Sequence, residues 1–217
     1  DARLILEALA DQPYTTAPVD GNTITAGILD PEQLAPLDDN VAAAFDDALN
    51  KLRANGVTIK TFTLPLSPPE FQNLNGAIMG YEGYANVGHL ADDFTLPMDP
   101  FVRNRMRAGK TIAEATYRQG LTQREGHIAN FAKQINAFDI LLLPTTSMPA
   151  TPIADANELI MPMSRFTRWG NYLNLCGMSL PIGVTLCDLP IGLQMLTKGN
   201  DEQGLINFAA FAADTLY

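Results

Sequence analysis

FDILLLPTT, residues 138–146, decides the fold. An apolar run from Ile140 to Leu143 is preceded by Asp139 and stopped by Pro144. A strand with one wet face alternates apolar and polar residues, whereas an unbroken run of this length reads as a strand buried on both faces. Such a strand belongs in the middle of a sheet, with helices above and below it.

Working outward, the chain supplies those neighbours. TITAGIL (Thr23 to Leu29) reads as a strand, and VTIKTFTL (Val57 to Leu64) as another. Between them, Asp38 or Asp39 caps a helix carrying Val41, Phe45, Ala48, Leu49 and Leu52 on one face, and Gly56 ends it. Strand, helix, strand in that space is a βαβ unit, so its strands are expected to be parallel. SPPE (Ser67 to Glu70) opens a further helix with Pro just inside the start, and the Pro- and Asp-rich DDFTLPMDP is a loop. Thr111 and Glu114 have capping-box spacing ahead of a long helix to about Ala137. Its inward stripe is Tyr117, Leu121, Arg124, Ile128, Phe131 and Ile135. Beyond the central strand, SRFTRWGNYLNLCGMSLPIGV (Ser164 to Val184) runs from short polar side chains into an apolar strand. IGLQML is another strand, and the last helix starts near Glu202. The expected class is α/β, a mixed sheet flanked by helices, in a single domain over residues 1–217 that is an incomplete portion of a larger one.

Composition narrows the function. The 217 residues are 47% apolar and carry a net charge of −10. A chain this acidic lacks the basic face that phosphate contacts need, so nucleic acid is not expected as a direct partner. The one locally basic stretch, RNRMRAGK (Arg103 to Lys110), reads as a solvated helix end. No window of about 18 uncharged apolar residues offers a membrane span. Cys176 and Cys187 make neither a disulfide framework nor a four-ligand zinc site. The expected location is cytoplasmic.

The residues alone define no nucleophile system. A Ser/His/Asp arrangement needs a histidine, and only His89, beside a loop, and His127, leaning to a helix surface, are present. No G-x-S-x-G elbow, zinc-binding H-E-x-x-H or phosphate-cradling glycine loop occurs. Ser67, Ser147, Ser164 and Ser179 sit outside Gly-rich turns, and the five lysines lie in polar contexts. The expected catalytic set within the chain is therefore empty, and so are the metal and cofactor sets. Arg124 is the polar oddity: on an apolar stripe its guanidinium needs a carboxylate, backbone carbonyls or a ligand anion.

Several segments together resemble the C-terminal half of the amidase signature family. They are FDILLLPTT, then Phe166-Thr167, Asn171, SLPIG, LPIGLQ and Glu202, in the family's order and spacing from Asp139 onward. The family's arginine fifteen residues before the strand's aspartate falls on Arg124. Where the family has Gly three and Pro five residues after the asparagine, this chain has Asn174 and Cys176. Subunits that feed ammonia to tRNA amidation carry Tyr-Asp-Gly-x-Arg-Tyr in the middle helix; here it is YEGYAN (Tyr81 to Asn86), which favours a plain amidase.

The resemblance implies a metal-free, cofactor-free hydrolysis of a small carboxylic amide to acid and ammonia or amine. It also implies a Ser, a second Ser in cis linkage and a Lys, in a Gly-Ser-rich N-terminal half that is not among these residues. This chain is then expected to supply the pocket wall, with Tyr81, Arg124, Thr145, Thr167 and Asn171 as substrate-side residues. The expected partners are the missing N-terminal half or a second copy of the chain. Leu4, Ile5, Leu9 and the strand ILLLP are expected to be the uncovered apolar surfaces. Two other readings stand beside this one: an amidotransferase component that takes ammonia from glutamine for tRNA amidation, and a non-catalytic α/β scaffold.

Overall fold

A computed structural model describes residues 1–155 and 163–217. Five strands, β1 (Thr25–Leu29), β2 (Thr58–Phe62), β3 (Ile140–Pro144), β4 (Cys176–Val184) and β5 (Pro190–Thr197), form one sheet in the order β2-β1-β3-β5-β4. β1 pairs in parallel with both β2 and β3, while β5 runs antiparallel to β3 and to β4. The mixed α/β sheet is the one the sequence leads one to expect.

β3 is the central strand, and each of its five residues is buried. Its side chains alternate between two cores. Ile140 and Leu142 join Ala26, Leu193 and Met195 on one face; Leu141 and Leu143 join Leu29 and Leu196 on the other. Strand neighbours on both sides and helices on both faces leave β3 no free surface. The expectation that ILLLP would be uncovered is thus wrong for this strand. It holds for the helix α1 (Ala2–Ala10), where Leu4, Ile5 and Leu9 are 55%, 60% and 81% exposed.

The helices form a layer on each face. After the short α2 (Pro31–Leu34), α3 (Asp39–Ala54) starts at Asp38, whose carboxylate accepts from Asn40 N–H, and buries all five residues of its apolar stripe. Gly56, at φ 93°, turns the chain out of it into β2, a conformation that costs glycine least. The other elements are α4 (Pro68–Asp92), α5 (Pro100–Ala108), α6 (Glu114–Ile135), α7 (Arg168–Tyr172) and α8 (Glu202–Leu216). α3 and α8 cover the Ile140/Leu142 face; α4, α6 and α7 cover the other through Phe71, Ile78, Phe131, Trp169 and Tyr172.

Two local expectations are corrected. Thr111 and Glu114 do not form a capping box. The Thr111 hydroxyl is committed to the Ala108 carbonyl (3.0 Å), Ala113 takes the cap position, and the Glu114 carboxylate turns forward to Arg118. The basic stretch from Arg103 is not simply a solvated helix end either. Arg103 is buried and donates to the carbonyls of Ala91, Asp93 and Leu96, shaping the turn between α4 and α5. Arg107 and Lys110 both bind Asp92, which also accepts from Tyr84 Oη, and these bonds hold the Asp92 carboxyl well below the usual carboxylate range.

Candidate functional site

In open α/β sheets ligands bind outside the carboxyl ends of the parallel strands. Here that end is defined by β1 and β3. Thr145 follows directly after β3, where Pro144 breaks the apolar run, and its N–H donates to the Gly192 carbonyl of β5 (2.8 Å). Its hydroxyl shares a 2.6 Å hydrogen bond with that of Ser179 on β4. Gly192 lies between them: a Cβ there would come 2.6 Å from both Ser179 Oγ and Thr145 Oγ1. The missing side chain is therefore what allows two hydroxyls from two different strands to meet.

The segment of residues 164–167, just before α7, is tied to β5 beside this corner. The buried Gln194, next on the same face of β5, donates to the Phe166 carbonyl (2.9 Å). Phe166 is buried in the core, and Arg165 stacks on its ring. The Arg165 guanidinium spans outward to the carbonyls of Gln33, Ala35 and Pro36, pinning the segment to the loop after α2. Burial pushes the Arg165 pKa down. Asp38 N–H donates to the Ser147 carbonyl, so the loop after β3 is tied to the start of α3.

Arg124 resolves its own puzzle. It sits half-buried on the inward stripe of α6, and its partners are carbonyls: Nε donates to Tyr172 (2.7 Å) and Nη2 to Asn171 (3.2 Å). Those carbonyls close α7, where a cation is favoured by the helix end. Tyr172 is buried and shares a 2.9 Å hydrogen bond with Nδ1 of His127, one turn along α6 from Arg124. His127 is thus half-buried and partnered rather than a surface histidine. Burial raises the Tyr172 pKa.

Of the five expected substrate-side residues, three gather around α7. Thr167 stands at its N-cap position without a capping bond, Asn171 is exposed near its end, and Arg124 holds that end. Thr145 lies in the strand-end corner, bonded to Gly192 of β5 and to Ser179 of β4. Tyr81 stands apart on α4, where its ring stacks on Tyr117 of α6 at 4.3 Å; Tyr117 Oη donates to Glu82. The reading by sequence missed Ser179, Gly192, Gln194 and Arg165. Alternation alone puts Gly192 and Gln194 on one face of β5, while bringing Ser179 beside them takes the register of β4 against β5.

The departures at Asn174 and Cys176 prove local. Asn174 takes φ 58°, the left-handed conformation that asparagine tolerates better than most residues, and Cys176 begins β4. Serine hydroxyls elsewhere are engaged with Glu70 (Ser67), Thr145 (Ser179) and Arg168 (Ser164). Lys51 binds Asp47 and the Leu216 carbonyl, and Lys110 binds Asp92. Among the described residues no lysine is in hydrogen-bond contact with a serine hydroxyl, and no helix is long and apolar enough to cross a membrane.

A mixed sheet between two helical layers, with the Thr145 and Ser179 hydroxyls meeting beyond the carboxyl end of β3, places the chain among α/β proteins. The chain belongs to the amidase family, whose model matches residues 10–206. It is 28% identical over 184 residues to 2-amino-5-chloromuconic acid deaminase of Comamonas testosteroni, covering 80% of this chain and 39% of that protein. It is also 28% identical over 206 residues to a glutamyl-tRNA(Gln) amidotransferase component of a Geobacter species, covering 80% and 41%. A crystal structure of an amidase superposes with a TM-score of 0.87 at 21% identity, covering 100% of this chain and 51% of that one. The substrate complex of 6-aminohexanoate cyclic dimer hydrolase gives 0.70 at 18% identity, covering 94% and 49%. The chain spans about 40% of the length of the curated relatives it matches.

Proposed function

We propose that these residues are the C-terminal portion of an amidase that hydrolyses a small carboxylic amide to acid and ammonia or amine. They furnish one wall of the substrate pocket, and the nucleophile comes from the part of the fold outside them. The observation that carries this reading is the strand-end corner. Thr145 and Ser179 offer hydroxyls that can hydrogen-bond an amide, yet their partners are each other and not a lysine. Attack on an amide needs a nucleophile activated by a base and donors for the developing oxyanion. The family resemblance assigns the first to a Ser, a second Ser in cis linkage and a Lys outside this chain. The 217 residues then make a single α/β unit that is incomplete as an amidase domain. In this reading Thr145, Thr167 and Asn171 face the substrate, Arg124 holds the α7 wall that carries Asn171, and Tyr81 contributes from the α4–α6 side. Neither a metal nor a cofactor enters the proposed reaction, which runs in the cytoplasm.

The amidotransferase reading is supported by one observation, the several relatives that are glutamyl-tRNA(Gln) amidotransferase components. YEGYAN at Tyr81 to Asn86 weighs toward a plain amidase. Complementation tests the proposal. The chain is co-expressed with an amidase segment bearing the Gly-Ser-rich signature, and ammonia release is followed with simple amides and with glutamine. Activity only in the mixture, on simple amides, is expected. Activity on glutamine alone would favour the amidotransferase, and a stable, inactive complex would favour the scaffold.

A further inference from the structure

We propose that the hydrogen bond between His127 and Tyr172 is a pH-sensitive latch on α7: the neutral imidazole holds the end of the helix against the core, and the protonated one loosens it. The inference rests on the proposed function only in that α7 and its N-cap position hold Asn171 and Thr167, two of the residues placed on the substrate side.

The bond joins two residues in unlike surroundings. Tyr172 is wholly buried, its ring set edge-on against Phe71 with 5.5 Å between centroids. His127 is half-buried on α6, its Nδ1 2.9 Å from Tyr172 Oη. The tyrosine hydroxyl has no other hydrogen-bond partner among the described residues, so its proton is satisfied only where Nδ1 accepts it. That places the neutral ring's own proton on Nε2. Burial raises the Tyr172 pKa, so the hydroxyl keeps its proton over the range in which a histidine changes charge.

Protonation removes the acceptor. Nδ1 then carries a proton and donates to Tyr172 Oη, and the tyrosine proton is left without an acceptor among the described residues. A buried donor stranded in this way is costly. No anion offsets the new charge. On α6 the charged side chain one turn away is Arg124, a cation committed to the carbonyls of Tyr172 and Asn171, while Glu125 lies two positions round the helix. α7 brings one charge, Arg168, which donates to Ser164 Oγ. α4 brings Phe71 against Tyr172, and its carboxylates Glu70 and Glu82 are held by Ser67 and Tyr117. Among the described residues no carboxylate forms an ion pair with His127. Two cations one turn apart on a helix repel, and here both bear on the same tyrosine.

The cost is relieved when the end of α7 moves off the core and water reaches the tyrosine hydroxyl. Arg124 keeps its hold on the carbonyls, so α7 loosens without leaving. The helix carries its own reporter. Trp169 is the chain's one tryptophan, 1% exposed, and packs edge-on against Phe62 (6.3 Å) and Phe131 (6.0 Å). His89, the only other histidine, stands in the last turn of α4.

The test uses the 217-residue chain. Trp169 emission, followed from about pH 8 down to about pH 5, should shift to the red with the slope of one proton. His127→Gln keeps an acceptor for Tyr172 and takes up no proton, so it should abolish the shift. His89→Gln should leave it unchanged. The ring titration of His127, followed by NMR, should share the emission midpoint. Emission indifferent to pH would overturn the proposal. So would a shift that survives His127→Gln, a shift lost with His89→Gln, or a midpoint that differs from that of the His127 ring. If His127→Gln does not fold, the two midpoints in the unsubstituted chain decide. Complementation reads ammonia and this test reads emission, so either result can fail without the other.

Discussion

Arg124 stands on an apolar stripe in the sequence and joins two helices in the structure. Its guanidinium joins α6 to the last carbonyls of α7, the element that carries Asn171. Arg124→Ala is expected to cost about 1–3 kcal/mol, the range for a charged donor whose carbonyl acceptors are stranded. Arg118→Ala should cost far less, because Arg118 is exposed and its ion pair with Glu114 is solvent-screened. Equal urea midpoints for the two variants would contradict this account of α6. At Gly192 the expectation is steric. Gly192→Ala places a methyl 2.6 Å from two hydroxyl oxygens and must part Thr145 from Ser179. Overpacking of this kind costs about 1–3 kcal/mol, and a thermal scan that matches the unsubstituted chain would contradict it.

At the scale of elements, the joint between α4 and α5 depends on one carboxylate. Asp92 gathers Arg107, Lys110 and Tyr84, and its folded pKa is lowered by them. A lowered folded pKa means stability that is fully present above the unfolded value, about 3.9, and lost as pH falls through the folded one. Asp92→Asn should therefore be less stable than the unsubstituted chain at pH 7, with the gap closing as pH is lowered below the ordinary carboxylate range. A gap that stays constant down to acid unfolding would show that the charge is idle. Elements are also where the sequence is most legible. The α3 stripe follows from helical periodicity, the parallel β1–β2 pair from the strand–helix–strand order, and buried β3 from its unbroken apolar run. The start of α6 reads wrongly because Thr111 finds an equally good acceptor in Ala108, and sequence spacing cannot rank two local hydrogen bonds. The Thr145–Ser179 pair is invisible for a different reason. It joins strands that are 34 residues apart, and only the register of β5 between them brings the hydroxyls together.

At the scale of the whole chain, the central strand and the strand-end corner stand in contrast. Both faces of β3 are sealed, and the Thr145 and Ser179 hydroxyls have no activating base beside them among the described residues. In the proposed reading this is a pocket wall whose nucleophile lies elsewhere, and its central claim is that this chain alone does not cleave amides. Ammonia release by the purified 217-residue chain, against a panel of simple aliphatic and aryl amides, tests that claim most directly. The account predicts no turnover above the uncatalysed rate. Turnover that survives repurification, and that disappears when a serine or lysine within these 217 residues is replaced, would contradict it.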